Sequence, residues 1–301
     1  MTGKRSSGKT SQAGGAAGSG GSRSAVFDFT SPMEGLSYPS VSADVQTQFT
    51  QDFYAAVGDV ETWLSANGWL SGNASRPPPV GTVGPPGLFG LPGTDFQVFV
   101  SKAYPNARAI DPAWGARRGV MQFPAYRAGA READHVHELI HVYLPNGHRM
   151  LAEGLAVYVQ QKIGRNGAFP NFSGDLHRAA RTLTCPRPKG GGADLQKIDL
   201  SALDQILTPD DLIREVAGLW YDAGPTYIVA GSFVQFLLEG FETDLATAMD
   251  EFRALYELTP LMPTELNGGD VGRWTAAYGA QRPLSVLEAK WKAMIAAMPC
   301  P

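Results

Sequence analysis

The chain has few cysteines, no long apolar run and no excess of basic residues. Cys185 and Cys300 both lie beside proline and belong to no Cys-x-x-Cys or Cys/His cluster, which excludes a cysteine-based zinc site. No apolar run reaches the roughly 18 to 20 residues that a membrane-spanning helix needs. Residues 1–24 hold four of the 25 basic residues and no acid, so the remainder carries 21 basic against 29 acidic side chains. We therefore expect no nucleic-acid partner and no membrane span.

The cysteines and the N-terminal segment bear on localisation. A disulfide between Cys185 and Cys300 would tie the C-terminal end to a loop and would favour an oxidising, extracytoplasmic compartment. Two unrelated thiols are the alternative. Residues 1–24 are rich in Gly, Ser and Ala, are predicted to be disordered, and lack the apolar segment of a recognisable signal peptide. Localisation stays open at this point.

The remaining sequence predicts an α+β protein, with a small sheet followed by many helices. Residues 25–93 are predicted to hold an N-terminal helical element and a loop rich in proline and glycine, and residues 94–301 the main domain. Extended segments are predicted at Phe96–Val100, Ala107–Ile110 and Gly119–Phe123. Apolar periodicity predicts helices at 43–66, 131–144, 149–163, 174–184, 209–217, 225–239, 243–257 and 284–297.

The segment HVHELIHVY, residues 135–143, contains the pattern His-Glu-x-x-His at His137, Glu138 and His141. On an α-helix, residues four apart lie on one face, about 40° apart around the axis, so both imidazoles can approach one metal ion. Glu138 follows directly, within reach of a water at an open coordination position. This is the arrangement of zinc peptidases, in which the metal acidifies water and the glutamate takes the proton. The alternative is a buried helix whose histidines are satisfied by hydrogen bonds.

A mononuclear catalytic zinc needs a third protein ligand. His148 follows His141 by seven residues, whereas the three-histidine metzincin pattern requires six and an intervening glycine, so we interpret His148 as a turn residue. His177 stands alone in a helical segment and is interpreted as structural. His135 lies roughly 160° around the helix from His137 and cannot share its metal.

Glu153 is the better third ligand. It lies in the apolar helical segment 149–163, and the strong helix stop at 144–147 predicts that this helix forms an antiparallel hairpin with the first. Glu153 would then face the two histidines. It is the only acid between Glu138 and Asp175, and burying a carboxylate beside two histidines without a cation would be costly.

The sequence HELIH followed by LAEGLAVYV resembles the gluzincin superfamily of zinc peptidases, in which a glutamate on a second helix completes the site. The peptidase-MA-like group is the most similar, because its pattern "hydrophobic, any, Glu-Gly-hydrophobic-Ala, any, Tyr" is matched throughout residues 151–158. The segment 227–237, YIVAGSFVQFL, is similar to the helix that follows in this group. The resemblance covers roughly residues 94–257.

The resemblance implies a zincin-like fold, with a small mixed sheet, an edge strand before an active-site helix, and a mainly helical C-terminal subdomain. Residues 94–301 would form the catalytic domain, with the sheet and active-site helices in 94–165 and the helical subdomain in 166–301. The implied site comprises one zinc ion, the metal ligands His137, His141 and Glu153, and the general base Glu138. The resemblance assigns to Tyr227 the role of stabilising the oxyanion. Tyr221 is the second candidate for this role. The alternative is that Tyr227 only packs against its neighbours.

The chain departs from the family at three places. Only eleven residues separate His141 from Glu153, and Val157 replaces the aspartate by which thermolysin-type enzymes orient a histidine. Gln122, in the stretch 119–123, replaces the acid with which aminopeptidases bind a free amine, which argues against a dedicated aminopeptidase. The same stretch is expected to be available as an edge strand for pairing with a peptide.

The sequence therefore predicts a monomeric zinc-dependent hydrolase that cleaves peptide bonds in a peptide or protein substrate. A catalytically inactive binding or scaffold protein that keeps the peptidase fold is the first alternative. Metal-assisted hydrolysis of a non-peptide bond is the second.

Overall fold

The computed structural model describes residues 23–30, 38–69, 95–109, 119–146, 148–165, 175–185, 194–200, 223–239, 244–259 and 271–301. Over these residues the protein is a mixed α+β structure that is mostly helical and has one small mixed sheet. The chain divides into two compact units. The first comprises residues 1–58 and 79–133, and the second comprises residues 59–78 and 134–301. The domain boundaries expected from the sequence, after residues 24, 93 and 165, stay predictions.

The first unit contains a four-stranded sheet with the order β1-β2-β4-β3. Strands β1, β2 and β4 are parallel, and β3 is antiparallel to β4. The strands are β1 (Ala25–Asp28), β2 (Phe96–Ser101), β3 (Arg108–Ala109) and β4 (Val120–Pro124). The three extended segments expected from the sequence are confirmed to within two residues at either end, and β1 was not predicted.

The position of β4 corrects one expectation. The stretch 119–123 was expected to be available as an edge strand, but β4 pairs with β2 on one side and with β3 on the other. Among the described strands, the edges of the sheet are β1 and β3. The sequence could not show this, because only tertiary pairing decides which strand lies outside.

Helix α1 (Ala43–Ala66) has the bounds that its apolar periodicity predicts. Within the first unit its buried face carries Phe49 and Phe53. Their rings make edge-to-face contacts with Phe27 of β1, Phe96 of β2 and Phe123 of β4. Aromatic rings in this geometry gain energy beyond the area they bury, so this cluster holds α1 on the sheet.

The helix expected over 131–144 is wrong at its start. A short helix, α2 (Ala125–Ala130), ends at Arg131, whose φ of 58° lies in the left-handed region. The next helix, α3, begins only at His135 and ends at Tyr143. A left-handed residue closes a helix, so α2 and α3 are separate elements.

The second unit is helical among its described residues. After α3 it comprises α4 (Arg149–Ile163), α5 (Leu176–Thr184), a 3-10 helix (Leu195–Lys197), α6 (Ala223–Glu239), α7 (Leu245–Leu258), α8 (Val271–Tyr278) and α9 (Leu284–Ala297). The expected helices over 149–163 and 284–297 are confirmed, and those over 174–184, 225–239 and 243–257 are confirmed to within two residues. The expected helix over 209–217 lies outside the described residues, and α8 was not predicted. In the part of the chain that the structure describes, no helix is long and apolar enough to cross a membrane.

Helices α4 and α6 approach closely because each has a glycine at the contact. A Cβ on Gly154 of α4 would lie 2.6 Å from Val234 Cγ2 and 2.7 Å from the backbone oxygen of Ala230. A Cβ on Gly231 of α6 would lie 2.6 Å from Val157 Cγ1. The close packing of α4 against α6 therefore explains why glycine follows Glu153 in the EGLAVY segment.

The two cysteines form a disulfide that joins the end of α5 to the C-terminal end of the chain. Cys185 and Cys300 have their Cα atoms 5.8 Å apart and are separated by 115 residues in sequence. Arg181 of α5 supports the same junction, since its Nε donates to the backbone oxygen of Met298 at 2.7 Å. The disulfide is compatible with an extracytoplasmic location.

We predict that Gly154→Ala destabilises the protein by about 1–3 kcal/mol, because the new methyl group meets a backbone oxygen that cannot move alone. Gly58→Ala is the matched control: Gly58 is an exposed position of α1 with nothing within 4 Å of an added Cβ. This control should stabilise the protein by about 0.5–1 kcal/mol through helix propensity. Denaturant unfolding with a chelator present measures both. Equal effects of the two substitutions would contradict the close approach of α4 and α6.

Candidate metal centre

The candidate metal centre lies in the hairpin of α3 and α4. Its turn is held by Tyr256 of α7, whose hydroxyl donates to the backbone oxygen of Leu144 at 2.7 Å. The side chain of Asn146 donates to the backbone oxygen of Tyr256 at 3.2 Å and accepts from the backbone N–H of His148 at 2.8 Å. These bonds satisfy polar groups that the ends of two helices would otherwise leave without partners. The hairpin expected from the helix stop at 144–147 is therefore formed.

The structure brings His137, His141 and Glu153 together. His137 Nε2 lies 3.0 Å from Glu153 Oε2 and 3.1 Å from His141 Nε2. His141 Nε2 lies 3.3 Å from the same oxygen of Glu153. His137 and Glu153 are buried, while the side chain of His141 keeps 18% of its surface exposed. One side of the group is thus reachable from solvent.

Hydrogen bonds alone cannot account for the three close contacts among His137 Nε2, His141 Nε2 and Glu153 Oε2. Each imidazole Nε2 carries at most one hydrogen, so at most two of the three contacts can be hydrogen bonds. If both histidines donate to Glu153, their two N–H groups face each other at the short Nε2–Nε2 distance of 3.1 Å. A cation accepts lone pairs from all three atoms at once.

The distances also fit a metal ion. Ligand atoms about 2.0–2.1 Å from a tetrahedral zinc lie about 3.3 Å apart. The observed separations of 3.0, 3.1 and 3.3 Å are close to this value. The group formed by His137, His141 and Glu153 can therefore hold a metal ion. The donor set does not by itself identify the metal.

The acids around His137 control its protonation. Burial lowers the pKa of His137, but the hydrogen bond to Glu153 and the negative charges of Glu153, Glu138 and Asp134 outweigh burial, so the pKa is raised. Without a metal ion, the site therefore favours a proton on His137. A cation bound at the same place would satisfy the same negative charges.

Glu138 and Tyr227 are the other two residues expected in the site. Glu138 follows His137 on α3, is buried, and donates its backbone N–H to Asp134 at 3.1 Å. Tyr227 of α6 is half-buried, and its ring centre lies 5.9 Å from that of His137. Their catalytic roles stay predictions. Tyr221, the second candidate for the oxyanion, lies outside the described residues.

The remaining histidines lie outside the metal-ligand group. His148 is fully buried and directly precedes α4, with extended backbone. His177 bonds through Nδ1 to Ser232 Oγ at 3.0 Å, and burial is the main cause that lowers its pKa. His135 is buried on α3.

Sequence reasoning missed Gln160, whose side-chain oxygen accepts from the backbone N–H of His137 at 3.0 Å. A signal for it exists, because Gln160 follows Glu153 by seven residues and therefore shares its face of α4. Tyr256, which holds the hairpin turn, lies more than 100 residues from that turn and had no local signal.

No family model matches the chain, and no curated protein or solved structure is significantly similar to it.

We predict that metal affinity weakens as the pH falls, because zinc needs a neutral imidazole and the raised pKa of His137 lets protons compete. The loss should be at least about tenfold between about pH 7.5 and about pH 5.5. Competition with a chelating dye at a series of pH values measures it.

Two variants accompany this titration. Glu153→Gln removes a charged ligand and should bind zinc weakly at every pH. Glu257→Gln, the same change at an exposed position of α7, should reproduce the wild-type curve. An affinity that does not change with pH would contradict ligation by His137.

Proposed function

We propose that the chain is a zinc-dependent peptidase of the gluzincin type, most similar to the peptidase-MA-like group, that cleaves a peptide or protein substrate. The convergence of His137, His141 and Glu153 on one triangle, with Glu138 directly after the first histidine, carries the proposal. We further propose that the protein acts as a monomer outside the cytoplasm.

The metal assignment follows from the donor set. Two imidazoles and one carboxylate are the ligands of many catalytic zinc sites, and three protein ligands leave a coordination position open. Zinc bound there would supply Lewis-acid chemistry by acidifying water and polarising the carbonyl of the scissile bond. The exposed part of His141 is consistent with access from solvent.

Glu138 would move the proton. Its carboxylate would take a proton from the attacking water and return it to the nitrogen of the leaving amine. Its side chain is buried, so bulk water does not compete for the proton that it would carry. An inactive scaffold protein would have no need of this base.

Tyr227 would stabilise the charge that develops on the substrate carbonyl oxygen. A phenol donates a hydrogen bond to an oxyanion without competing for the metal. The ring of Tyr227 lies beside the ring of His137, which brings this residue near the proposed ligands.

For the general base, we predict that Glu138→Gln keeps one zinc ion per chain and loses at least about 100-fold in hydrolysis of a mixed peptide library. The isosteric amide cannot accept the proton, and Glu138 is not a metal ligand. Glu257→Gln should match wild type in both assays. Wild-type rates in Glu138→Gln would refute the mechanism, and a wild type that binds zinc but cleaves no peptide, with or without chelator, would favour the scaffold alternative.

For the oxyanion, we predict that Tyr227→Phe lowers kcat by about 100- to 1,000-fold with little change in KM, because its hydroxyl acts mainly in the transition state. Tyr126→Phe removes a hydroxyl from a ring that is 62% exposed and should leave kcat unchanged. If Tyr221→Phe shows the loss instead, the role belongs to Tyr221.

A further inference from the structure

Gln160 is a buried polar side chain that catalysis does not use directly. Only 4% of its surface is exposed, and its Oε1 accepts from the backbone N–H of His137 at 3.0 Å. The bond links α4 to the first turn of α3 at one of the proposed metal ligands.

The start of α3 explains why this bond matters. The first N–H groups of a helix have no acceptor within the helix and need one from elsewhere. Asp134, at the N-cap of α3, makes no side-chain cap hydrogen bond. Gln160 supplies an acceptor from the neighbouring helix, so the capping of α3 at His137 depends on α4.

Gln160 and Glu153 act on the same residue from the same face of α4. Two residues that are seven apart in an α-helix lie about 20° apart around its axis and about 10.5 Å apart along it. Glu153 Oε2 lies 3.0 Å from the ring Nε2 of His137, and Gln160 Oε1 lies 3.0 Å from its backbone nitrogen. Helix α4 therefore holds both the side chain and the main chain of His137.

We propose that Gln160 is a positioning residue of the metal centre: it fixes the backbone of His137 so that its imidazole meets Glu153 and His141. This inference rests on the proposed metal site. A side-chain oxygen suits the role because it accepts a hydrogen bond from the backbone N–H. Without it, a buried N–H would lack a partner, and the first turn of α3 would relax to find one.

The decisive experiment measures the metal site and not only stability. Gln160→Met keeps the length of the side chain and removes the acceptor. We expect the Kd for Zn²⁺, measured by competition with a chelating dye, to weaken by about 10- to 100-fold. We also expect the absorption spectrum of the Co²⁺-substituted protein to change, because the ligand geometry is altered.

Two further variants serve as controls for Gln160→Met. Gln161→Met makes the same chemical change one residue further along α4, about 100° around the helix, and should keep the wild-type Kd. Gln160→Glu keeps an acceptor oxygen whether or not it is protonated, and should restore the Kd to within about threefold of wild type and the Co²⁺ spectrum to that of wild type.

The outcomes separate this inference from the proposed function. A wild-type protein that binds no metal overturns both. A wild type that binds one ion, with an unchanged Kd and Co²⁺ spectrum in Gln160→Met, overturns the positioning role alone, even if metal-free Gln160→Met unfolds more easily. Equal weakening in Gln160→Met and Gln160→Glu overturns it as well.

Amide hydrogen exchange of the wild type decides the matter if Gln160→Met does not fold. The amide of His137 should exchange at least about 100-fold more slowly than an unprotected amide, since it is hydrogen-bonded and buried. Exchange at the unprotected rate would overturn the proposal.

Discussion

The contacts of one turn of α4 with two neighbouring helices fix the distances in the candidate metal centre. Glu153 and Gly154 are consecutive, so they lie about 100° apart around the helix and face different neighbours. Glu153 meets the two histidines of α3, and Gly154 allows the backbone of α6 to approach. The same helix, two turns later, holds the backbone of His137 through Gln160. A displacement of α4 would therefore alter the ligand triangle and the helix that carries Tyr227 at the same time.

The electrostatics of the site follow from this packing. Glu138, Glu153 and Asp134 are buried and all act electrostatically on His137, so the surroundings of this histidine favour positive charge. In the absence of metal, a proton on His137 supplies part of that charge. A divalent cation supplies more and needs no hydrogen of its own, which lets all three ligand atoms face one point. The fold thus concentrates negative charge where a cation can be held.

Local patterns in the sequence were sufficient for the parts of this architecture that depend on near neighbours. The two histidines lie four residues apart on one helix, and the stop at 144–147 placed Glu153 opposite them, so the triad was predicted. Long periodic segments gave α1, α4 and α9 their bounds. Tertiary features were not predictable in this way. Nothing in an arginine indicates the left-handed backbone of Arg131 that separates α2 from α3. The inner position of β4 depends on pairing with distant strands, and the place of Tyr227 beside His137 was implied only by resemblance.

The disulfide determines whether the chain stays in one piece when its backbone is cut. Cys185 and Cys300 enclose the segment that contains α6, with Tyr227 and the glycine that packs on α4. Within this segment, Ser232 of α6 accepts from Trp291 of α9 at 3.0 Å, and it bonds to His177 of α5 just before the loop begins. A single backbone cut between the two cysteines would leave the pieces covalently joined. Such a nicked chain would remain one covalent molecule, with α6 still attached.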